Sequence, residues 1–473
     1  MSTHPKTIHV WQKRFGTTEP QLVEVPVPSA PPDGLLIKVH AAGVCHSDVA
    51  LLNAPSKPPE ARWPYDSYTL GHEGCGEIVA IGDKVTGWNV GDMVVIDAVA
   101  GCGADDCSEC TRGLQQICQR GEAYGIGYHG SYAPYIAIKA RAAAKLPDGV
   151  APEVGAVATD ACMTAYHAVV GTGRVTEGQV VVVIGIGGLG FNALQIVLAL
   201  GARCIVVDQR KDVLEEAVKF GIREADVVPV EEGLVQFAKR HGLVVDTVID
   251  FVGVQETFDA AQEAGEISFY YCQSTMLTFT VRFGGTLVQV GLLSPHIAIN
   301  NFLSVRKHLS ILCSYGGTME DLKQCLRLIA DGKLRPQVVT GKLEDLPKVL
   351  EDLHAGKHQN YSHVRLAVPG TTADPQHKTP TMASLSGQQG AGSDTSKPAP
   401  GQNQTGESMG DHQQTAETQS SMKTGPESKT GGGSQDTKIG AGDAIKDLSG
   451  EGGGKGGKID ESFVEGVKDK VQG

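Results

Sequence analysis

Four apolar, β-branched runs, Val180–Ile184, Cys204–Val207, Val244–Ile249 and Thr286–Val290, set the texture of the middle of the chain. Asn192–Leu200, Val213–Phe220 and Gln255–Glu263, which lie between them, carry helical spacing. Continuous apolar runs suit parallel strands covered on both faces. Strand, turn and helix in repeating order specify a doubly wound α/β domain.

The first of these strands runs into Gly185-Ile186-Gly187-Gly188-Leu189-Gly190, which opens a helix. Gly185 permits the tight turn, Gly187 lets backbone approach a pyrophosphate, and Gly190 allows the helix to pack closely on the strand; Gly188 starts that helix. Free N–H groups and the dipole at a helix N-terminus favour an anion there. The second strand ends at Asp208, 20 residues beyond Gly188. A carboxylate there accepts from ribose hydroxyls and repels a 2′-phosphate, which predicts NAD over NADP, although Arg210 and Lys211 follow closely.

With 473 residues the chain exceeds what one core usually absorbs. Short β-like runs (Leu35–Val39, Gly76–Ile81, Met93–Ile96, Ser131–Ile138) punctuated by Gly and Pro precede the α/β region. After Pro295 come helices over Asp321–Asp331 and Leu346–His354 and a closing strand, His363–Val368. From Thr371 to Gly473 the only aromatic residue is Phe463, and such a composition cannot offset its ordering entropy, so 370–473 is expected to be a disordered tail. A net charge of −13, with no basic cluster in the folded part, argues against nucleic acid as a partner. No run reaches the ~18 apolar residues of a membrane helix, nor is there a signal-peptide run. The expectation is a soluble cytoplasmic protein.

Cys102-x4-Cys107-x2-Cys110-x7-Cys118 puts four thiolates in one short loop, enough to close a tetrahedral structural zinc site. Cys75, Cys204, Cys272, Cys313 and Cys325 are scattered, as small buried hydrophobes are. Gly43-Val44-Cys45-His46-Ser47-Asp48 and Gly71-His72-Glu73-Gly74-Cys75-Gly76 each offer one good ligand, Cys45 and His72, with carboxylates beside them. By spacing alone these two residues fit a shared ion and fit ordinary packing equally.

Those two segments, the Gly71-to-Val85 glycine pattern, the four-Cys lobe, the Gly185 loop and Ser314-Tyr315-Gly316-Gly317-Thr318 together resemble the zinc-containing alcohol dehydrogenases of the medium-chain dehydrogenase/reductase superfamily, over about residues 5 to 369. The resemblance implies a discontinuous GroES-like, β-rich catalytic domain over 1–161 and 302–369 and an NAD-binding Rossmann domain over 162–301. It implies one catalytic and one structural zinc, and reversible oxidation of a primary or secondary alcohol by hydride transfer to NAD. The catalytic ligands implied are Cys45, His72 and a residue before the cofactor domain; Thr164-Ala165-Tyr166 aligns Asp160 there, with Cys162 two positions later. His46, Ser47 and Glu73 fall on catalytic positions, Ser47 as a proton relay and Glu73 as a carboxylate beside the ligands. A homo-oligomer, dimer or tetramer, is also implied.

Three departures stand out: the longer Cys102–Cys107 spacing, Met319 where an Arg often contacts cofactor phosphate, and Ala50 where a His can finish the relay. Gly265–Thr280, aromatic and with one charge, interrupts the helix that should run into the turn Val281-Arg282-Phe283-Gly284-Gly285 and reads as translated intron or as a surface loop or oligomer contact. Trp63, Tyr65 and Tyr68 precede His72 as pocket or packing residues. Rival readings are a polyol dehydrogenase, a zinc-free quinone reductase and a non-catalytic dinucleotide-binding scaffold.

Overall fold

The computed structural model describes residues 5–58, 63–263, 281–357 and 363–367. The atypical segment 265–280 and the tail 370–473 lie outside these residues.

The four apolar runs form parallel strands as their composition demands. Val180–Ile184 sits between Arg203–Val207 and Val245–Asp250, and the sheet continues through Val281–Gln289 to Ser310–Cys313. Helices Gly188–Ala199, Lys211–Lys219, Leu234–His241 and Gln255–Glu263 follow the first strands in alternation. Beyond Arg203–Val207 a further position shrinks to one parallel bridge, Val206 to Val227. Val181, Val182, Val183, Ile205, Val248 and Leu287 are fully buried, the mark of a sheet covered on both faces.

Two strand assignments differ from the sequence expectation. The segment Val281 to Gly285, expected as a turn, belongs to the strand: Val281 pairs with Val245, and the ladder slips to Thr286 with Thr247, with Gly284 at φ +73° inside the bulge. The parallel sheet also runs past residue 302, where the resemblance places the end of the cofactor domain. Ser310–Cys313 pairs in register with Thr286–Gln289, so the parallel sheet extends to Cys313. Its four residues, Ser310-Ile311-Leu312-Cys313, are mostly exposed and make a run too short to mark a strand in the sequence.

The second sheet is built from both ends of the chain. Val338–Lys342 and His363–Ala367 join Gly34–Gly43, Glu73–Ile81, Met93–Ile96 and Ala143–Lys145, with Tyr135–Lys139 also on Gly34–Gly43. Thr7–Arg14, Gln21–Pro26 and Ser67–Thr69 make a third, smaller sheet. A helical run from Pro152 to Thr172 packs between the two larger sheets, its Ala156, Val157, Ala161, Cys162, Ala165 and Val169 in the same core as Val181 and Val183. Among the described residues no helix is long and apolar enough to cross a membrane.

Asp97 ends Met93–Ile96 wholly buried; Oδ1 accepts from Val99 N–H at 3.0 Å, and Oδ2 has no donor among the described residues. Burial pushes its carboxyl up to about 6. The folded state therefore holds this proton more tightly than the unfolded chain, so Asp97's contribution is full below about pH 3.8 and is lost as pH rises through about 6. Asp97→Asn is expected to escape that loss and gain about 3 kcal/mol on the native chain between roughly pH 4 and pH 8, read from urea unfolding at both values. Equal pH dependence of the two proteins would refute it.

Candidate active site

Cys45 caps the N-terminus of the helix His46–Asn53: its sulfur accepts from Ser47 N–H at 3.5 Å, while Asp48 Oδ2 reaches back to Cys45 N–H at 3.0 Å. This reciprocal cap fixes the turn that carries Cys45. His72 and Glu73 lie where the chain enters the strand Glu73–Ile81, which pairs antiparallel with Gly34–Gly43, so Gly43 faces Glu73. Asp160 lies in a π-helical turn, Ala158–Cys162, a distortion that re-aims side chains and recurs at functional sites.

These elements bring Cys45, His72, Glu73 and Asp160 together, with one ligand atom from each within 4.8 Å of the others. His72 Nε2 lies 3.6 Å from Asp160 Oδ2, and Nδ1 lies 3.2 Å from Asp48 Oδ1. A carboxylate only accepts, so Nδ1 carries a proton toward Asp48, and Nε2 is the ring nitrogen turned to the cluster and available to a metal. Thr164 Oγ1 donates to Asp160 Oδ1 at 2.9 Å, leaving Oδ2 for the centre. Cys162 does not join: it is wholly buried in the core, two residues round the helix from Asp160.

Burial, with Asp160 nearby, pushes the Cys45 thiol up to about 12 and raises the Glu73 carboxyl well above the usual range. Burial opposes charge on His72, but Asp48, Asp160 and Cys45 outweigh it and raise its pKa. Crowded away from water, the Cys45 thiol and the Glu73 carboxyl resist losing their protons until a cation joins them. The donor set, one soft sulfur, one nitrogen and carboxylate oxygen, fits zinc.

Ser47 and His46 are exposed, and Ser47 Oγ lies 3.6 Å from Cys45 Sγ. Ala50 is exposed one helical turn on. Glu73 is fully buried, and a Cβ on Gly43 would lie 1.8 Å from Glu73 Oε2. Gly43→Ala is therefore expected to expel that carboxylate, lowering kcat/KM about 10- to 100-fold with a loss of about 1–3 kcal/mol in stability. Steady-state kinetics with thermal melts check this, and wild-type values in both would contradict the geometry.

The second cluster forms as well. Cys102, Cys107, Cys110 and Cys118 bring their sulfurs within 4.8 Å of one another, with Cys102 to Cys110 at 3.8 Å and Cys107 to Cys118 at 3.6 Å. The two extra residues close as a turn, Cys107 N–H donating to Ala104 O, so Cys102 keeps its place. Gly101, at φ +71°, sits where a Cβ would meet Cys110 Sγ at 2.8 Å.

At the glycine loop a Cβ on Gly190 would fall 1.9 Å from Gly185 O, so helix and turn touch only because it is absent. Gly187 has open space on the same test, room a ligand can use. It precedes the helix Gly188–Ala199 with no side chain capping the N–H groups, leaving those donors available to an anion. Asp208 is held to the loop: Oδ2 accepts from Ile186 N–H at 2.7 Å, and Arg210 donates to Oδ1 from its backbone at 2.9 Å and from Nε at 3.0 Å. Arg210 is thus drawn into an ion pair with Asp208. Met319 opens the helix Met319–Ala330 and packs on the core. Trp63 and Tyr68 stack edge-on with centroids 5.8 Å apart, while Tyr65 stacks on His129 at 4.7 Å.

Asp48 and Tyr132 escaped the sequence reading as site residues. Asp48 stood inside the Gly43–Asp48 motif, but its role appears only once His72 faces it. Tyr132 lies 84 residues from Asp48 and carried no local signal.

Residues 31–148 match the family described as "Alcohol dehydrogenase GroES-like domain", and 223–359 match "Zinc-binding dehydrogenase". An alcohol dehydrogenase of Geobacillus stearothermophilus is 32% identical over 343 residues, 71% of this chain and 93% of that protein. An acryloyl-coenzyme A reductase of Sulfurisphaera tokodaii is 31% identical, over 69% of this chain and 90% of the other. Among solved structures, acetophenone reductase from Geotrichum candidum in complex with NAD superposes with TM-score 0.66 at 32% identity, covering 77% of this chain and 98% of that one. Fold, paired cysteine and histidine clusters and these matches define a zinc-type medium-chain dehydrogenase. The chain belongs to the zinc-containing alcohol dehydrogenase family and is an NAD-dependent oxidoreductase acting on CH–OH groups.

Proposed function

We propose that Cys45, His72 and Asp160 hold a catalytic zinc and that Cys102, Cys107, Cys110 and Cys118 hold a structural one. The reaction is the reversible oxidation of a primary or secondary alcohol to an aldehyde or ketone. The observation that carries this reading is the convergence of Cys45, His72, Glu73 and Asp160 within 4.8 Å, with exposed Ser47 beside them.

Zinc, when bound, supplies a Lewis acid that lowers the pKa of an alcohol or polarises a carbonyl, and NAD accepts or returns the hydride. The chain's own residues do the rest. Ser47 Oγ takes the proton of the substrate hydroxyl and passes it outward, and His46 stands exposed beside it to carry it on. Glu73, buried in the cluster against Gly43, keeps its carboxyl close to the ligands without facing solvent. Gly185, Gly187, Gly188 and Gly190 shape the loop that takes the pyrophosphate, and Asp208 selects the ribose of NAD over a 2′-phosphate. In this reading the parallel sheet through Cys313 is the cofactor domain, and the segments on either side form the catalytic domain, in a cytoplasmic enzyme.

Self-association belongs to the same reading. Among the described residues Ser310–Cys313 is the last strand of its sheet, and Leu312, Val305, Leu292 and Leu293 are exposed. An unpaired strand edge with apolar neighbours pairs readily with a second copy. Light scattering that gives a monomer mass would remove this part.

The test is metal analysis with NAD reduction across short alcohols and polyols. About two zinc per chain with turnover is expected. Two zinc and cofactor binding without turnover on any of them would overturn the proposal.

A further inference from the structure

We infer that Tyr132 is a positioning residue for the Cys45–His72–Asp160 centre, acting through Asp48; this rests on the zinc reading above. Tyr132 is fully buried, and its hydroxyl lies 2.7 Å from Asp48 Oδ2 and 3.0 Å from Gly43 O. The shorter contact is to the carboxylate, where a charge-assisted bond is the stronger.

Asp48, also fully buried, is held from three directions. Oδ2 accepts from Tyr132 and from Cys45 N–H at 3.0 Å, and Oδ1 faces His72 Nδ1 at 3.2 Å. Its plane therefore sets two ligands together: the turn of Cys45 and the ring orientation of His72. A carboxylate with one fewer donor is free to rotate about its Cβ–Cγ bond, and His72 Nε2 then loses its fixed aim.

The ring of the same tyrosine acts on the second ligand segment. Gly71, at φ +92°, has its open side against that ring; a Cβ there would lie 2.5 Å from Tyr132 Cδ1. Backbone bonds hold the pair in place, Ser131 N–H to Gly71 O at 2.7 Å and Tyr132 N–H to Leu70 O at 2.9 Å. Tyr132 thus ties the segment 43–48, through its hydroxyl, to the segment 70–72, through its ring. Hydroxyl and ring have separate duties, and Tyr132→Phe removes the first while keeping the second.

The experiment uses the full chain loaded with zinc and follows zinc release to a chromogenic chelator. The four-cysteine zinc serves as an internal reference in the same molecule. Tyr132→Phe is expected to weaken retention of the catalytic zinc about 10- to 100-fold, while the reference zinc leaves at the wild-type rate. Cobalt placed in the catalytic site should show a changed visible spectrum in the variant.

Because the hydroxyl acts through Asp48, a cycle with Asp48→Asn should be non-additive, the double variant losing zinc no faster than Asp48→Asn alone. If Asp48→Asn does not fold, the Tyr132→Phe release rate and cobalt spectrum decide alone. Two zinc in both proteins, released at identical rates with identical cobalt spectra, would overturn the role of Tyr132. A wild-type chain that takes up only the four-cysteine zinc would overturn the zinc reading on which it rests.

Discussion

Cys45→Ser is expected to lower kcat/KM for alcohol oxidation by at least about 10³-fold, a loss of about 4 kcal/mol in transition-state stabilisation. Cys45 contributes the only sulfur in its cluster, and serine offers a harder, far less acidic donor in its place. Its Oγ can still accept from Ser47 N–H, so the helix His46–Asn53 keeps a cap of the ordinary kind. The fold should therefore survive: thermal unfolding should shift by only a few degrees, and zinc content should fall from two per chain to one. Steady-state kinetics, metal analysis and calorimetry on one preparation check all three. Retained activity with a single zinc would show that chemistry does not pass through this centre.

Cys107→Ser should give the opposite profile. The lobe it serves has only a four-residue helix, Ser108–Thr111, and a three-residue 3₁₀ turn, Gln115–Ile117, and elements so short have no stability of their own in water. Cys107 and Cys118 are buried, and the four sulfurs converge on a point where only a cation can reconcile four thiolates. Loss of one ligand is expected to cost about 4 kcal/mol and to lower the thermal midpoint on the order of 10 °C. A strong chelator should lower the wild-type midpoint by a similar amount and leave the variant's nearly unchanged, since a ligand stabilises only the state that binds it. Equal midpoints for variant and wild type would mean that the lobe stands without metal.

The contrast between these variants follows from where each cluster sits. Cys45, His72 and Asp160 come from a helix cap, a strand entrance and a π-helical turn that are already held by two sheets and a shared core. The four cysteines come from one stretch of 17 residues whose regular elements are one four-residue helix and one three-residue 3₁₀ turn. On the proposed reading, metal is chemistry at the first site and architecture at the second.

Local covalent pattern determined the α/β sheet, the glycine loop and the four-cysteine lobe, because each is written within one strand–turn–helix or one short loop. Val180–Ile184 announces a strand buried on both faces, and the tetrad closes within its own loop. Even there the exposed strand Ser310–Cys313 was illegible, since four residues are too short a run to mark a strand. Only the tertiary structure sets Asp160, and not Cys162, beside Cys45 and His72, because two residues on one helix point to different sides and the side that meets Cys45 depends on how Ala161, Cys162 and Ala165 pack. It likewise decided the contact of Tyr132 with Asp48, and hence the aim of His72. Such groups are brought together by strand register across two sheets, a long-range quantity that no local stretch of sequence encodes.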